Sequence, residues 1–282
     1  MYLEISRIFH GVKCDLKKIL CTKYFYISVI LTGVVFMLTP LYTTDTGKSY
    51  NAISALLSYK EVVLENPDRF SFNTIISNYA NSNVTVYGAA LTMIPLINVL
   101  VNEKRKGALR LQLFRMSKGA YTLSKLLVSL VTGGLTLVCG YMVFCGYAYV
   151  FFHKIEEPVN EMLFKQKVDY KSFMCIFLFG AISTVLRYIL SEITENIYLV
   201  YCIPFIINYL LLMLFTSIIR NYVSYGSALF DVYVAVNPVN ILNLKYMENK
   251  HIAYILVANV MYMAFAYIIY RFIISKKVDC GD

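Results

Sequence analysis

Runs of about twenty apolar residues recur along this chain, and no other feature restricts its fold so tightly. A helix rises about 1.5 Å per residue, so a run of roughly 20 residues matches the ~30 Å hydrocarbon layer of a bilayer. Six runs fit: Tyr24–Thr43, Val84–Val101, Tyr121–Phe152, Phe173–Leu190, Tyr198–Ile219 and Ile252–Ile274. In lipid a spanning backbone must satisfy its own hydrogen bonds, which separate apolar runs do as helices. The sequence thus predicts an all-α membrane protein with six transmembrane helices in one domain, residues 1–282.

Composition agrees. Apolar residues make up 59% of the chain and charged residues 15%, against about 45–50% and about 25% in soluble domains. In 282 residues, six spans and their loops leave no room for a soluble nucleotide-hydrolysing domain. The second run carries Thr92, Pro95 and Asn98, and its proline predicts a kink. The third is long and predicts a tilt or a projection beyond the bilayer. The first reads as a retained anchor, because Thr39-Pro40-Leu41 stands where a cleaved leader would end in small residues. Tyrosine is abundant and tryptophan absent, so tyrosine fills the interfacial belt.

Lysine and arginine set the orientation. With the N-terminus inside, Lys13, Lys17, Lys18 and Lys23 precede the first span. The Lys104–Lys106 cluster, Arg110, Arg115, Lys118 and Lys125 lie between the second and third, and Arg271, Lys276 and Lys277 close the chain. The whole net charge of +9 then falls on the inner face. Both termini are cytoplasmic, and anionic headgroups account for the basic surface without nucleic acid. The seven cysteines all fall in spans or inner segments, as small apolar residues in a reducing compartment do.

Four segments are neither span nor short loop. In residues 1–23, Leu3, Ile5, Ile8, Phe9, Val12, Leu16, Ile19 and Leu20 recur at helical spacing opposite Arg7, Lys13, Lys17 and Lys18. This predicts an amphipathic helix lying flat at the headgroups. Residues 44–83 form the largest outer segment, with a short helix over Ile53–Leu57 and turns at its asparagines. Residues 102–120 are a cytosolic loop longer than a hairpin needs. There Leu109, Leu113 and Met116, with Phe114 beside them, form a one-sided apolar stripe on a short helix that Gly119 can end, suited to a groove in a soluble partner. Residues 220–251 are an outer segment too apolar around Val236–Leu242 for a free loop, which predicts packing against or into the membrane.

Catalytic patterns are missing. Gly47-Lys48-Ser49 lacks the first glycine of a phosphate loop, Tyr42 standing in its place. His10, His153 and His251 are separated in sequence, and His153 with Glu156 and Glu157 makes a poor metal set. Lys125 and Arg187 fall near inner span ends, from which their long side chains can snorkel to water. No span has a carboxylate near its centre, which argues against an ion-driven relay.

At residues 98–126 the sequence resembles the membrane subunits of type-2 ABC exporters. A polar residue ends the second span (Asn98, Asn102), then come Glu103, a basic cluster, Gly107 and Leu109. The loop Arg115-Met116-Ser117-Lys118 and Lys125 at the start of the third span follow. The amphipathic first helix, six spans with both ends inside, and Pro238 in an apolar outer stretch fit the same family. The outer segment 44–83 is longer than in its small members.

The resemblance implies a permease with no enzyme activity of its own, binding no metal or cofactor. It would pair with a second permease subunit, identical or related, and with cytosolic ABC ATPase subunits that carry the ATP and magnesium. Glu103, Lys104, Arg105, Lys106, Gly107, Leu109, Leu113, Phe114, Arg115 and Met116 would couple it to the ATPase. Thr92, Met93, Asn98, Asn208, Tyr209, Met213 and Phe215, on the second and fifth spans, would line the path. Such a path suits an amphipathic or apolar cargo: a peptide, lipid or drug. The Lys-, Ile-, Asn- and Tyr-rich composition points to a multi-pass protein of a bacterial plasma membrane. Two other readings stay open at this stage. One is a membrane-embedded peptide-immunity or sensor protein that transports nothing. The other is an ATP-independent secondary transporter.

Overall fold

The computed structural model describes residues 2–43, 47–58, 63, 70–77, 79, 83–105, 116–155, 170–193, 196–214, 240–242 and 249–279. These residues are mostly helical. Helices α1 (Tyr2–Leu20) and α2 (Lys23–Met37) come first, followed by a two-stranded antiparallel hairpin, β1 (Pro40–Thr43) and β2 (Ser49–Asn51). Short helices α3 (Ala52–Leu57) and α4 (Phe72–Ser77) lead to a π-helical turn at Val84–Gly88, which runs into α5 (Ala89–Leu91) and α6 (Ile94–Arg105). The longer helices α7 (Lys118–Phe152), α8 (Tyr170–Ile193), α9 (Ile197–Leu214) and α10 (Asn249–Asp279) complete the fold.

The described parts of the six apolar runs are helical except at Leu38–Thr43 in the first and at the Thr92–Met93 break in the second. Two helices, α7 and α10, are long and apolar enough to cross a membrane. A third joins them if α1 and α2, bent by 68° at their junction, count as one span. With 35 residues, α7 is about 50 Å long, more than a hydrocarbon layer requires. The first run was expected to stay helical to Thr43, but α2 stops at Met37. Pro40 is the reason, since it lacks an N–H and disfavours helix in the residue before it. The Thr39 hydroxyl closes the end by donating to the Phe36 carbonyl at 2.6 Å, and the chain turns into β1. Gly47, with φ of 81°, adopts the left-handed backbone that glycine tolerates in the hairpin connection.

The short helix expected over Ile53–Leu57 is α3. Its start is fixed by Asn51, whose side chain accepts from the Ile53 and Ser54 amides at 3.1 and 2.8 Å. Ser54 Oγ returns the bond by accepting from the Asn51 amide at 2.8 Å, a reciprocal cap. Asn73, expected in a turn, lies inside α4.

The kink expected from Pro95 is a break at Thr92–Met93 between α5 and α6. A proline at 95 has no N–H for the carbonyl four residues earlier, that of Leu91. Ser28 of α2 fills the gap, its hydroxyl donating to Leu91 O at 2.6 Å.

Helix α7 is the hub, with α8, α2 and α1 packed along it. Close approach depends on missing side chains: a Cβ on Gly140 would stand 2.7 Å from the Thr32 side chain of α2. Hydroxyls on these faces are satisfied within their own helices, as Thr132 to Val128 O at 2.7 Å and Thr136 to Thr132 O at 2.8 Å, so they tolerate an apolar setting. One buried core gathers Phe36, Phe70, Ile75, Tyr79, Tyr141 and Phe144 around α2, α4 and α7. Ile241 and Leu242, from the apolar stretch expected to pack, are buried in it; Val236–Val239 lie outside the described residues. A second core joins Ile19, Met93, Ile97, Leu126, Tyr188 and Tyr270 towards the other end of α7. The outer faces of α9 and α10 stay uncovered, with Val260, Met261, Phe265 and Phe272 more than 60% exposed. Such a continuous apolar face suits hydrocarbon or another protein rather than water.

Candidate functional site: a buried ion ring at the α6–α7 junction

The junction between α6 and α7 is where the sequence concentrates its basic residues. Helix α6 ends at Arg105 and α7 begins at Lys118, capped by Ser117, whose Oγ accepts from the Ala120 amide at 3.3 Å. The linking residues 106–115 lie outside the described residues. Their two flanks do not.

Lys125 sits two turns into α7, on the face that α1 and α6 cover. It is 4% exposed. A bare ammonium buried in this way is costly, so it must be paired. Its Nζ donates to Asp15 Oδ2 at 2.8 Å and to Glu103 Oε2 at 2.8 Å. It also lies 5.6 Å from the centre of the Tyr121 ring, one turn earlier on the same face. The expected snorkelling of Lys125 does not occur: two carboxylates come to it instead.

Lys18 closes the ring from the solvent side. It stands 3.2 Å from Glu103 Oε1 and 3.5 Å from Asp15 Oδ1. Each carboxylate thus gives one oxygen to Lys125 and the other to Lys18, and two positive charges meet two negative ones. Asp15 reaches this place because it shares a face of α1 with Val12 and Ile19, one turn away on each side. Ile19 is buried in the second core and Val12 packs against it.

The protonation states follow from the packing. Burial alone would raise the Glu103 carboxyl, but the Lys125 charge and hydrogen bond, then Lys18, outweigh it and hold it below its ordinary 4.5. Burial would lower Lys18, but Glu103 and then Asp15 hold it above its ordinary 10.5. Glu103 therefore stays ionised and Lys18 stays charged across the physiological range.

The second flank also touches α1. Met116 packs on Gly11, its Cε 3.6 Å from where a Cβ would stand there. Helix α1 therefore backs both ends of the 106–115 segment, through Lys18 to Glu103 and through Gly11 to Met116. Of the residues expected to couple, Glu103 and Met116 are placed here. Lys106–Arg115 and the side chains of Lys104 and Arg105 lie outside the described residues.

Of the expected path residues, Thr92 and Met93 are fully buried, Thr92 donating to the Ala89 carbonyl at 2.8 Å. Tyr209 and Met213 are exposed on α9. The Asn98 and Asn208 side chains and Phe215 lie outside the described residues. The second and fifth runs do meet: Tyr87 of the π-helical turn and Phe205 of α9 have ring centres 5.7 Å apart.

Sequence reading missed Asp15, Lys18 and Lys125 as site residues, though Asp15 and Lys125 left a trace. The signal was present, as a single acid interrupting the apolar stripe of α1 and a lysine within an apolar run. Among the described residues no three His, Cys, Asp or Glu gather to hold a metal ion. His10 and Cys14 pair on the exposed side of α1 at 3.6 Å. The arrangement has no nucleophile with a base. Chemically it is a joint, fixing three helix ends to one another. Neither the protein-family models nor the curated protein sequences give a match to this chain.

Proposed function

We propose that this chain is the permease subunit of an ABC exporter, moving an amphipathic or apolar cargo out of the cytoplasm with energy from a separate ATPase. In this reading all six apolar runs cross a bacterial plasma membrane, both termini are cytoplasmic, and α1 lies at the inner headgroups. Two such subunits pair, and residues 102–120 seat on the ATPase. The observation that carries the reading is the ion ring. It anchors the two helix ends flanking the basic segment, and a segment that receives force needs stiff supports. Closure of the ATPase pair would press the segments together and turn the helices as rigid bodies about their packed faces. The buried cores towards the two ends of α7 supply that rigidity.

The test is co-expression with candidate ABC ATPase subunits and affinity capture through the permease. The wild type is expected to retain an ATPase. Charge reversal of Lys104, Arg105 and Lys106 with Leu109→Asp is expected to lose it while leaving the permease folded. Failure of the wild type to capture any ATPase, or labelling of Gln112→Cys in a chain with its other cysteines replaced, by an impermeant thiol reagent from the outer side only, overturns the reading. Capture of a peptide with no ATPase present points instead to an immunity or sensor role.

A further inference from the structure

The second run is too short for a crossing, by the register it keeps with α7. At its inner end Glu103 accepts from Lys125 at 2.8 Å. Further along, a Cβ on Gly88 would stand 3.4 Å from the Leu137 side chain. Val84, about one turn before Gly88, therefore comes level with Tyr141, and both lie in the first core. Lys125 and Tyr141 are about 24 Å apart along α7, less than the ~30 Å hydrocarbon layer.

Helix α4 occupies the missing part. Phe72, at its start, meets the Tyr149 ring edge to face, with centres 5.9 Å apart. Near its end the Ile76 carbonyl accepts from the Tyr141 hydroxyl at 2.7 Å. These two contacts are about 12 Å apart along α7, so α4 descends beside it. Ile75, Ile76 and Tyr79 are buried there with Phe36 and Val84. The Tyr141 bond has a reason. The last carbonyls of a helix lack partners within it, and none can be left open at membrane depth.

The opposite face of α7 marks how high the lipid reaches. From Ser124 to Tyr141 no residue of α7 is exposed, whereas Met142, Val143, Gly146, Tyr149 and Val150 are open. After Lys125 the helix carries no charge as far as Phe152. Lys125 and Tyr149 stand about 36 Å apart. That lies between the ~30 Å hydrocarbon layer and the ~40–45 Å of a whole bilayer, which puts the ion ring and Tyr149 in opposite headgroup layers. Tyr149 has the chemistry for that place, an apolar ring with a polar tip. Lys171, exposed at the start of α8, is two residues from Phe173, which packs on Tyr141; its long side chain can reach up to the same layer. A protein partner would fit an apolar face of any length. The match to bilayer thickness singles out lipid.

We infer that outer-leaflet lipid covers the open face of α7 up to Tyr149, and that α4, on the other face, lies at membrane depth and forms the outer end of the second crossing. That crossing begins at Phe72 rather than Val84, and the outer segment is in part a membrane element. The inference rests on α7 crossing the bilayer, as in the reading above, and needs no ATPase.

The chain has no tryptophan, so a single introduced one reports its own depth. Met142→Trp and Tyr149→Trp, both at exposed positions, are reconstituted in vesicles of phosphatidylcholine brominated at successive acyl positions. Met142→Trp should be quenched best by mid-chain bromines and Tyr149→Trp by the shallowest, with depths differing by about 10 Å. Bromines sit in both leaflets, so the depths are read whichever way the chain inserts. Equal depths, or no quenching of Met142→Trp, overturn the lipid face. For α4, a nitroxide is placed at Ser77→Cys, a partly exposed position near its deep end, with the native cysteines replaced. Oxygen, which concentrates in lipid, is expected to relax it more than a water-soluble nickel chelate does. The reverse order puts α4 in water and overturns its place in the crossing. Failure to capture an ATPase sinks the permease reading but leaves these depths to decide the inference.

Discussion

Ser28 completes the hydrogen bonding of a helix it does not belong to. Pro95 removes the donor that the Leu91 carbonyl would have found in its own helix, and the Ser28 hydroxyl of α2 supplies one at 2.6 Å. Ser28 itself is fully buried, so no water stands ready to take its place. Ser28→Ala should therefore cost about 1–3 kcal/mol, the range for a buried acceptor left unmet. Pro95→Ala in the same chain should recover most of that loss by restoring the internal bond. Thermal unfolding in detergent, followed by circular dichroism, measures both. Equal losses with and without Pro95 would show that Ser28 acts through packing alone.

The two lysines of the ring should differ sharply. Lys125 is buried between two carboxylates, and removing one partner of a buried pair costs about 3–5 kcal/mol. Lys125→Met should thus be strongly destabilising. Asp15→Asn and Glu103→Gln added to it should return much of the stability, because no buried charge is then left alone. Lys18 has a side chain 54% exposed, and a pair that open to water is worth about 0–1 kcal/mol. Lys18→Met should barely move the melting temperature. The same unfolding assay ranks the three.

The ring also sets a pH window. The folded Glu103 carboxyl lies below its ordinary 4.5, so its stabilising contribution is present above that pH and is lost as pH falls through the folded value. Lys18 lies above its ordinary 10.5, so its contribution is present below that pH and fades as pH rises through the folded value. Stability should be flat between these limits and decline outside them. Glu103→Gln should flatten the acid limb selectively. Melting temperatures taken across pH, in one detergent at fixed ionic strength, test the assignment; an unaltered acid limb in Glu103→Gln would place the titration elsewhere.

Local patterns in the sequence reached the helices but not the ring. Apolar runs mark where helices lie, because lipid or core burial demands them, and Pro95 marks its own break. The hairpin was hidden because Pro40-Leu41-Tyr42-Thr43 continues the apolar run of α2 without a change in polarity. Only the proline betrays it. Asp15 and Lys125 are 110 positions apart, and Glu103 stands 85 from Lys18. Periodicity speaks only of neighbours on one helix, so it assigns Lys125 to the water at a span end. What the sequence did carry was a pair of local misfits of opposite sign, an acid in an apolar stripe and a base in an apolar run. Two such misfits are each costly alone and inexpensive together.

The α7–α8 contact offers the sharpest steric test. Gly133 and Gly180 face each other so closely that a Cβ on Gly180 would stand 2.5 Å from the Gly133 carbonyl oxygen. A Cβ on Gly133 would overlap Thr184 Oγ1 and lie 2.5 Å from the Gly180 carbonyl. These neighbours are backbone and a short β-branched residue, which cannot swing aside as a long side chain would. Thr184 is also held in place, its hydroxyl donating to the Ala181 carbonyl at 2.9 Å. Gly133→Ala should therefore force the helices apart and cost about 1–3 kcal/mol or more. Gly146 lies on the same helix, and a Cβ there would meet nothing within 4 Å. Gly146→Ala should be neutral or stabilising by about 0.5–1 kcal/mol, since alanine loses less backbone freedom in a helix. Unfolding temperatures of the two variants, measured side by side, separate contact from propensity. A Gly133→Ala chain as stable as the Gly146→Ala chain would mean that α7 and α8 do not meet at these glycines.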